Sequence, residues 1–216
     1  MKISDLMTRD VSTVTPATPL KEAATVLAGR GISGLPVVDP DGQVVGVLSE
    51  ADVMVKQSGP REQHGGLFAW LVEPSDPALP AKLEATTAGE AMTAPAVTIS
   101  PERPVREAAA RMLESGINRL PVVDEEGRLV GIVSRGDLVR AFTRSDEEIR
   151  REIEADVLRQ TLWIEDPSAI RVTVENGVVT LRGAVASASD AELLPRFVQR
   201  VPGVVRVTAE LTHAKA

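Results

Sequence analysis

Along residues 13–58 the spacing of apolar positions changes several times, and each change marks an element. Thr13-Val14 reads as a short extended step. Leu20, Ala23, Ala24 and Leu27 then recur at helical spacing. Thr18 followed by Pro19 predicts the start of that helix, a hydroxyl N-cap with proline at the first helical position. Gly31 predicts its end, as a left-handed C-cap. "LPVVD" reads as a strand, "PDG" as a turn and "QVVGVLS" as a second strand, after which Ser49 caps a helix beginning at Glu50. The predicted order is β-α-β-β-α. It returns 85 residues later, with Arg103-Pro104, Gly116, "EEG" and Ser134 in the matching places. "GISGLPVVDPDGQVVGVLSEAD" (Gly31 to Asp52) aligns without a gap on "GINRLPVVDEEGRLVGIVSRGD" (Gly116 to Asp137), and Leu6–Ala24 aligns on Ala91–Ala109. A repeat of this length is a duplicated folding unit.

Between the copies the chain is rich in Gly, Pro and polar residues and reads as a connector over 59–85. Within it Phe68, Trp70 and Leu71 predict one helical turn that packs back onto the repeats as a hydrophobic clip. After Arg144 the pattern changes. "SDEEIRREIEADVLRQTLW" predicts an amphipathic helix capped by Ser145, with acidic residues in its first turn and Ile149, Ile153, Val157 and Leu158 on one face. "AIRVTVENGVVTLRGAV" predicts a hairpin: Asn176-Gly177 forms a type I′ turn between Val172/Val174 and Val179/Leu181. A helix from about Ser189 to Gln199 and a third strand in "VPGVVRVTAEL" complete a separate α-β-β-α-β domain.

Hydrophobic residues make up 43% of the 216, enough for real cores, but aromatic residues are only 2%, so those cores rest on Val, Leu, Ile and Ala. A net charge of -7 disfavours nucleic acid and anionic lipid as partners of the chain as a whole. The absence of cysteine removes disulfides, thiolate catalysis and Cys-ligated zinc. The two histidines, His64 and His213, lie in no motif and make no metal-binding pair. P-loop, Gly-x-Gly-x-x-Gly and Gly-x-Ser-x-Gly patterns are missing, and Glu147-Glu148 is explained by a helix start. A catalytic constellation is not apparent, so the chain is expected not to be an enzyme. "MKISDLMTRD" has no apolar signal region, and "LFAWLV" is too short to span a bilayer. The expectation is a soluble, cytoplasmic protein.

The phrase Gly-h-x-x-Leu-Pro-Val-Val-Asp (h, a hydrophobic residue), a turn glycine, a hydrophobic strand and Ser-x-x-Asp occurs twice, each time after "LMT" or "AMT". It resembles the cystathionine-β-synthase (CBS) domain in its usual tandem pair. "IRVTVENGVVTLRG" and "VPGVVRV" resemble the BON domain. The implied organisation is a CBS repeat at 1–58, the connector at 59–85, a second CBS repeat at 86–144 and a BON domain at 145–213. The implied fold is mixed α/β (α+β): a pair of β-α-β-β-α repeats with pseudo-two-fold symmetry and two related pockets, plus the small BON domain. CBS pairs are regulatory sites for adenosine-containing ligands such as AMP, ADP, ATP and S-adenosylmethionine, so the resemblance implies a sensor bound by an adenine nucleotide, with no required cofactor. The same family dimerises through its helices. Here those helices carry Ala23-Ala24 and Ala108–Ala110, which permit close approach, so a homodimer is expected.

In the family one pocket draws its Ser and Asp from one repeat and its base contacts from the other. Carried over by motif, Ser49 and Asp52 share a pocket with Ala96, Val97, Ile117 and Asn118. Ser134 and Asp137 share the other with Val11, Ser12, Ile32 and Ser33. An ionised Asp can accept both ribose hydroxyls, and a Ser at a helix N-terminus sits where an anion is favoured. Ser-x-x-Asp is equally close to a capping box, and Ile32 and Ile117 equally suit plain core packing. The copies differ where Asn118-Arg119 stands opposite Ser33-Gly34. Arg119 holds the place where the family often puts a phosphate-binding cation, which makes the Asp52 pocket the better nucleotide site. Arg135 is the candidate for the Asp137 pocket, or else a solvated residue.

BON domains are associated with phospholipid or envelope binding. Residues 146–216 carry 12 acidic and 9 basic residues, which does not suit an anionic membrane. Arg171, Arg182 and Arg206 lie on strands, as a basic line or as a solvated face. The leading expectation is a regulator whose BON domain is output or anchor, acting on an unknown client protein. The rival is a structural or phospholipid-interaction protein whose CBS pair is an unliganded dimerisation scaffold.

Overall fold

The computed structural model describes residues 1–58, 79–164 and 166–213. The helical turn expected at Phe68, Trp70 and Leu71 lies outside the described residues. By internal contacts the chain divides into two units. One holds Met7–Arg103 and Ile117–Val133; the other holds Met1–Leu6, Pro104–Gly116 and the chain from Ser134 onward.

In the first unit, helix α1 (Leu20–Arg30) buries Leu20, Ala23 and Leu27. Gly31 ends it in the left-handed conformation (φ 61°), where a side chain would be strained. The start differs from expectation. Pro19 occupies the N-cap position, and no side chain caps the helix. Thr18 Oγ1 instead accepts from the Thr15 backbone N–H at 3.0 Å. The open N–H of Leu20 donates to the carbonyl of Thr86 at 2.9 Å, so a segment distant in sequence does the work of the cap. Strands β1 (Gly34–Val38) and β2 (Val44–Ser49) pair antiparallel, with Leu35 opposite Leu48. Val14 adds a parallel bridge to Val37, in place of the short strand expected at 13–14. The turn between β1 and β2 closes on Asp39, whose Oδ1 accepts from the N–H groups of Asp41 and Gln43, with Gly42 at φ 80°. Helix α2 (Glu50–Ser58) follows directly. Helix α3 (Leu79–Glu84) and helix α4 (Ala88–Ala91) come next, and Thr87 caps α4 in a box with Glu90.

The strands of the second repeat, β3 (Arg119–Val123) and β4 (Leu129–Ser134), form a second two-stranded sheet. Leader segments are exchanged between the repeats. Ala85, just before the second repeat, and Ala88 and Ala91, at its start, sit in the core of the first, with Leu20, Leu27, Leu35 and Leu48. Thr93 bridges Val47 on β2, while Thr8 bridges Ile132 on β4. This exchange explains a glycine inside each second strand. A Cβ on Gly46 would stand 2.3 Å from Met92 Sδ, and one on Gly131 would stand 2.6 Å from Met7 Sδ. The recurring Met and Gly are two sides of one contact.

The second unit contains helix α5 (Val105–Glu114), helix α6 (Arg135–Phe142) and the C-terminal domain. Ser145 caps helix α7 (Asp146–Glu152) in a box with Glu148. The single long α-helix expected here becomes a π-helix over Ile153–Thr161, where Leu162 N–H donates to the Val157 carbonyl. The wider turn lets the adjacent Val157 and Leu158 both be buried. Strands β5 (Ile170–Glu175) and β6 (Val178–Val185) form the hairpin, with Asn176 and Gly177 at φ 51° and 74° as a type I′ turn requires. Helix α8 (Ala188–Val198) returns the chain to strand β7 (Arg206–His213), parallel to β6. One core serves the domain, from Ile149, Ile153, Val157 and Leu158 on the helices to Val172, Val179 and Leu181 on the sheet. The architecture is mixed α/β.

Candidate functional site

Both Ser-x-x-Asp motifs form capping boxes. Ser49 donates to Asp52 Oδ2 through its backbone N–H at 2.8 Å and its hydroxyl at 2.7 Å, while Asp52 N–H reaches Ser49 Oγ at 3.4 Å. Ser134 and Asp137 repeat these contacts at 2.7, 2.7 and 3.4 Å. Two donors fill the acceptor positions of Oδ2, leaving Oδ1 of each carboxylate for other partners. Asp52 and Asp137 are buried, as capping acids facing open water would not be.

At the first motif Oδ1 of Asp52 accepts from Lys82 Nζ at 2.6 Å, and Lys82 also donates to Thr93 Oγ1 at 3.1 Å. Lys82 was outside every motif. It stands in a connector helix, and a lone lysine there carries no sequence signal of an ionic partner. Thr93 belongs to the "AMT" leader, which the exchange of segments brings onto β2.

Arg119 crosses from β3 to the start of β1. Its Nη2 donates to Ser33 Oγ at 2.6 Å, and its guanidinium lies where a Cβ on Gly34 would be, 2.2 Å from Nη1. Positions 34 and 119 correspond in the two repeats and here face each other, so one must be small for the other to be large. Burial pushes the Arg119 guanidinium down from its usual range, while the nearby Glu50 carboxylate pushes it back up. Glu50, the first residue of α2, donates its backbone N–H to the Ser33 carbonyl at 3.2 Å. Arg119 thus belongs to the same corner as the start of α2. Ser33 was assigned by motif to the other pocket, and the structure joins it to Arg119.

Of the remaining residues expected in the Asp52 pocket, Ala96 and Ile117 are half-buried, whereas Val97 and Asn118 are exposed. All four lie in the unit that holds Asp52. The second expected pocket draws on both units. Val11, Ser12, Ile32 and Ser33 lie in one; Ser134, Arg135 and Asp137 lie in the other. Val11, Ser12 and Ile32 are half-buried. Arg135 is exposed, and Asp137 Oδ1 accepts from Arg140 on its own helix.

In the C-terminal domain Arg171, Arg182 and Arg206 share the open face of the sheet. Arg182 is held in a fork by Glu210, at 2.9 and 3.0 Å, so this face alternates in charge. Among the described residues, no group of His, Asp and Glu is arranged to hold a metal, and no helix is long and apolar enough to cross a membrane.

The CBS domain model matches residues 3–59 and 88–144, and the BON domain model matches 145–215. The chain is 32% identical over 148 residues to the chloroplastic CBS domain-containing protein CBSX1 of Arabidopsis thaliana, covering 64% of this chain and 63% of that protein. It is 32% identical over 161 residues to CBSX2 of the same plant, covering 70% and 66%. The chain thus spans a little under two thirds of these relatives' length. The solved structure of CBSX2 in complex with AMP matches with a TM-score of 0.55 and 31% identity, over 65% of this chain and 94% of that one. The CBS domain pair of protein MJ0100, in complex with methylthioadenosine and S-adenosyl-L-methionine, matches with a TM-score of 0.53 and 26% identity, over 66% and 99%. The exchanged leaders, the paired capping boxes and these matches lead to one assignment: the chain belongs to the CBS-domain family, as two CBS domains followed by a BON domain.

Proposed function

We propose that this chain is a non-enzymatic sensor whose CBS pair binds an adenine nucleotide (AMP, ADP or ATP) or another adenosyl ligand at the Asp52 corner. The observation that carries the reading is Arg119, brought from the second repeat onto Ser33 and Gly34 at the start of α2. It supports the reading because a guanidinium, a group suited to phosphate, then stands in the same unit as Asp52. The ligands named for the CBSX2 and MJ0100 structures are all adenosyl compounds, which supports the class. The BON domain serves as output or anchor, and the sensor works as a homodimer on a client protein.

Calorimetry on the full chain tests this with AMP, ATP, adenosine and S-adenosylmethionine. Asp52→Ala removes the acceptor of two ribose hydroxyls. At about 1.5 kcal/mol for each charged hydrogen bond, the loss is roughly 100-fold in affinity. Arg119→Ala weakens AMP far more than adenosine. Ser49→Ala is the confounded control, since losing a helix cap costs about 1 kcal/mol of stability by itself. Failure of all four ligands to bind at sub-millimolar concentration would overturn the proposal.

One observation favours the rival scaffold: each motif carboxylate already has a capping serine and a cation. On that reading the purified protein carries no nucleotide by mass spectrometry and binds liposomes. Light scattering tests the dimer common to both readings, and a monomer mass throughout the micromolar range excludes it.

A further inference from the structure

Asp52 and Asp137 occupy matching positions, yet their remaining oxygens are held by cations of different kinds. Arg140 lies one turn along from Asp137 on α6, and its side chain is 74% exposed. It can swing into water at small cost. Lys82 lies on α3, 30 residues from Asp52, and the two side chains are only 11% and 8% exposed. A second bond to Thr93 Oγ1 fixes the ammonium. Helix α3 is itself tied to α2, since Lys56 Nζ donates to the Leu83 carbonyl at 2.7 Å.

Asp52 Oδ2 already accepts two hydrogen bonds from Ser49. A ribose offering two adjacent hydroxyls therefore has to use the two lone pairs of Oδ1. Lys82 Nζ, 2.6 Å from that oxygen, holds one of these positions, so both hydroxyls cannot bind while it stays. We propose that Lys82 is a tethered latch: its ammonium holds the place at Asp52 that the ribose of an adenosyl ligand takes, and the ligand binds when Lys82 leaves. The inference rests on the nucleotide reading above. Since coupling between two sites is reciprocal, occupancy of the pocket loosens α3, and a partner that draws α3 away raises the affinity for ligand. The ligand signal then leaves the pocket through α3. Among the described residues, the cation that meets Asp137 belongs to its own helix.

The test is Lys82→Met in the full chain, with calorimetry against AMP and adenosine. Removing a competing charged hydrogen bond raises the affinity for both about tenfold. Thr93→Val, which loosens Lys82 while leaving Asp52 intact, gives a smaller gain of about twofold in both. Unchanged or weaker binding of both ligands to Lys82→Met overturns the latch and leaves the site standing. A loss confined to AMP makes Lys82 a phosphate contact and overturns it too. Binding of neither ligand by any of the three proteins overturns the nucleotide reading, and the latch falls with it. Should Lys82→Met fail to fold, hydrogen exchange on the wild type gives the answer: amides of residues 81–84 exchange faster at saturating AMP. Unchanged exchange overturns the latch.

Discussion

Alanine at Gly34 asks whether Arg119 is held in place by the missing Cβ. That atom would stand 2.2 Å from Arg119 Nη1, 2.7 Å from Cζ and 2.9 Å from Nε. All three belong to the mobile end of a long side chain, so the guanidinium moves and the strand stays. The move gives up the 2.6 Å bond to Ser33 Oγ. A charged hydrogen bond contributes about 1.5–3 kcal/mol, and the lower end applies because half-buried Arg119 recovers water as it swings out. Alanine also stiffens the unfolded chain, which returns about 0.4–1 kcal/mol. The expected net loss is therefore about 1 kcal/mol. With Arg119 already replaced by alanine there is nothing to collide with, and Gly34→Ala should instead stabilise by about 0.4–1 kcal/mol. Urea unfolding of the four proteins, followed by circular dichroism, completes a double-mutant cycle with a coupling of about 1.5 kcal/mol. Gly34→Ala should also abolish any preference for AMP over adenosine, the outcome expected of Arg119→Ala. Equal destabilisation in both backgrounds would refute the argument, since the strand itself would then be rejecting the Cβ.

Gly183→Ala should be far more damaging, because φ is 142° and the new Cβ would stand 1.9 Å from the Ala169 carbonyl oxygen, a backbone atom that cannot swing away. A loss of about 3 kcal/mol or more is expected from strain and overpacking, read as a lowered thermal midpoint; a shift within error refutes it. A fragment of residues 145–213 should unfold cooperatively by circular dichroism, since the core that holds this domain runs from Ile149 to Val204 within it; a gradual melt refutes this. Stability should fall below about pH 4.5, where carboxylates lose native partners. The Ser145 hydroxyl holds Glu148 below its ordinary 4.5, the Thr86 backbone N–H does the same for Glu90, and Arg182 for Glu210. Their contribution is complete above the unfolded value and disappears as pH falls through the lower folded value. A thermal midpoint that stays level from pH 6 to 3 contradicts this.

What the sequence determined by itself was local. Gly31 ends a helix and Asn176-Gly177 turns a hairpin because few other residues take a positive φ at low cost. Ser145 and Glu148, or Ser49 and Asp52, find each other because three residues along a nascent helix leave them no other place to be. Duplication was legible in the same way, through matching residues at one fixed shift. Arg119 stood out as well, as a difference from Gly34 at the matching position of the first copy. Tertiary structure decided what lies across the gaps. Lys82 meets Asp52 over 30 residues, Arg119 meets Ser33 over 86, and Asp146 accepts the turn amides of Asn176 and Gly177 at 2.7 and 2.8 Å. Nothing in a lysine, a serine or an aspartate names a partner at that distance, because the pairing depends on where exchanged segments and packed strands carry the side chains. The exchange itself follows from burial: Ala85, Ala88 and Ala91 are small apolar residues that satisfy the core of either repeat by composition. Only the assembled geometry determined that they fill the first.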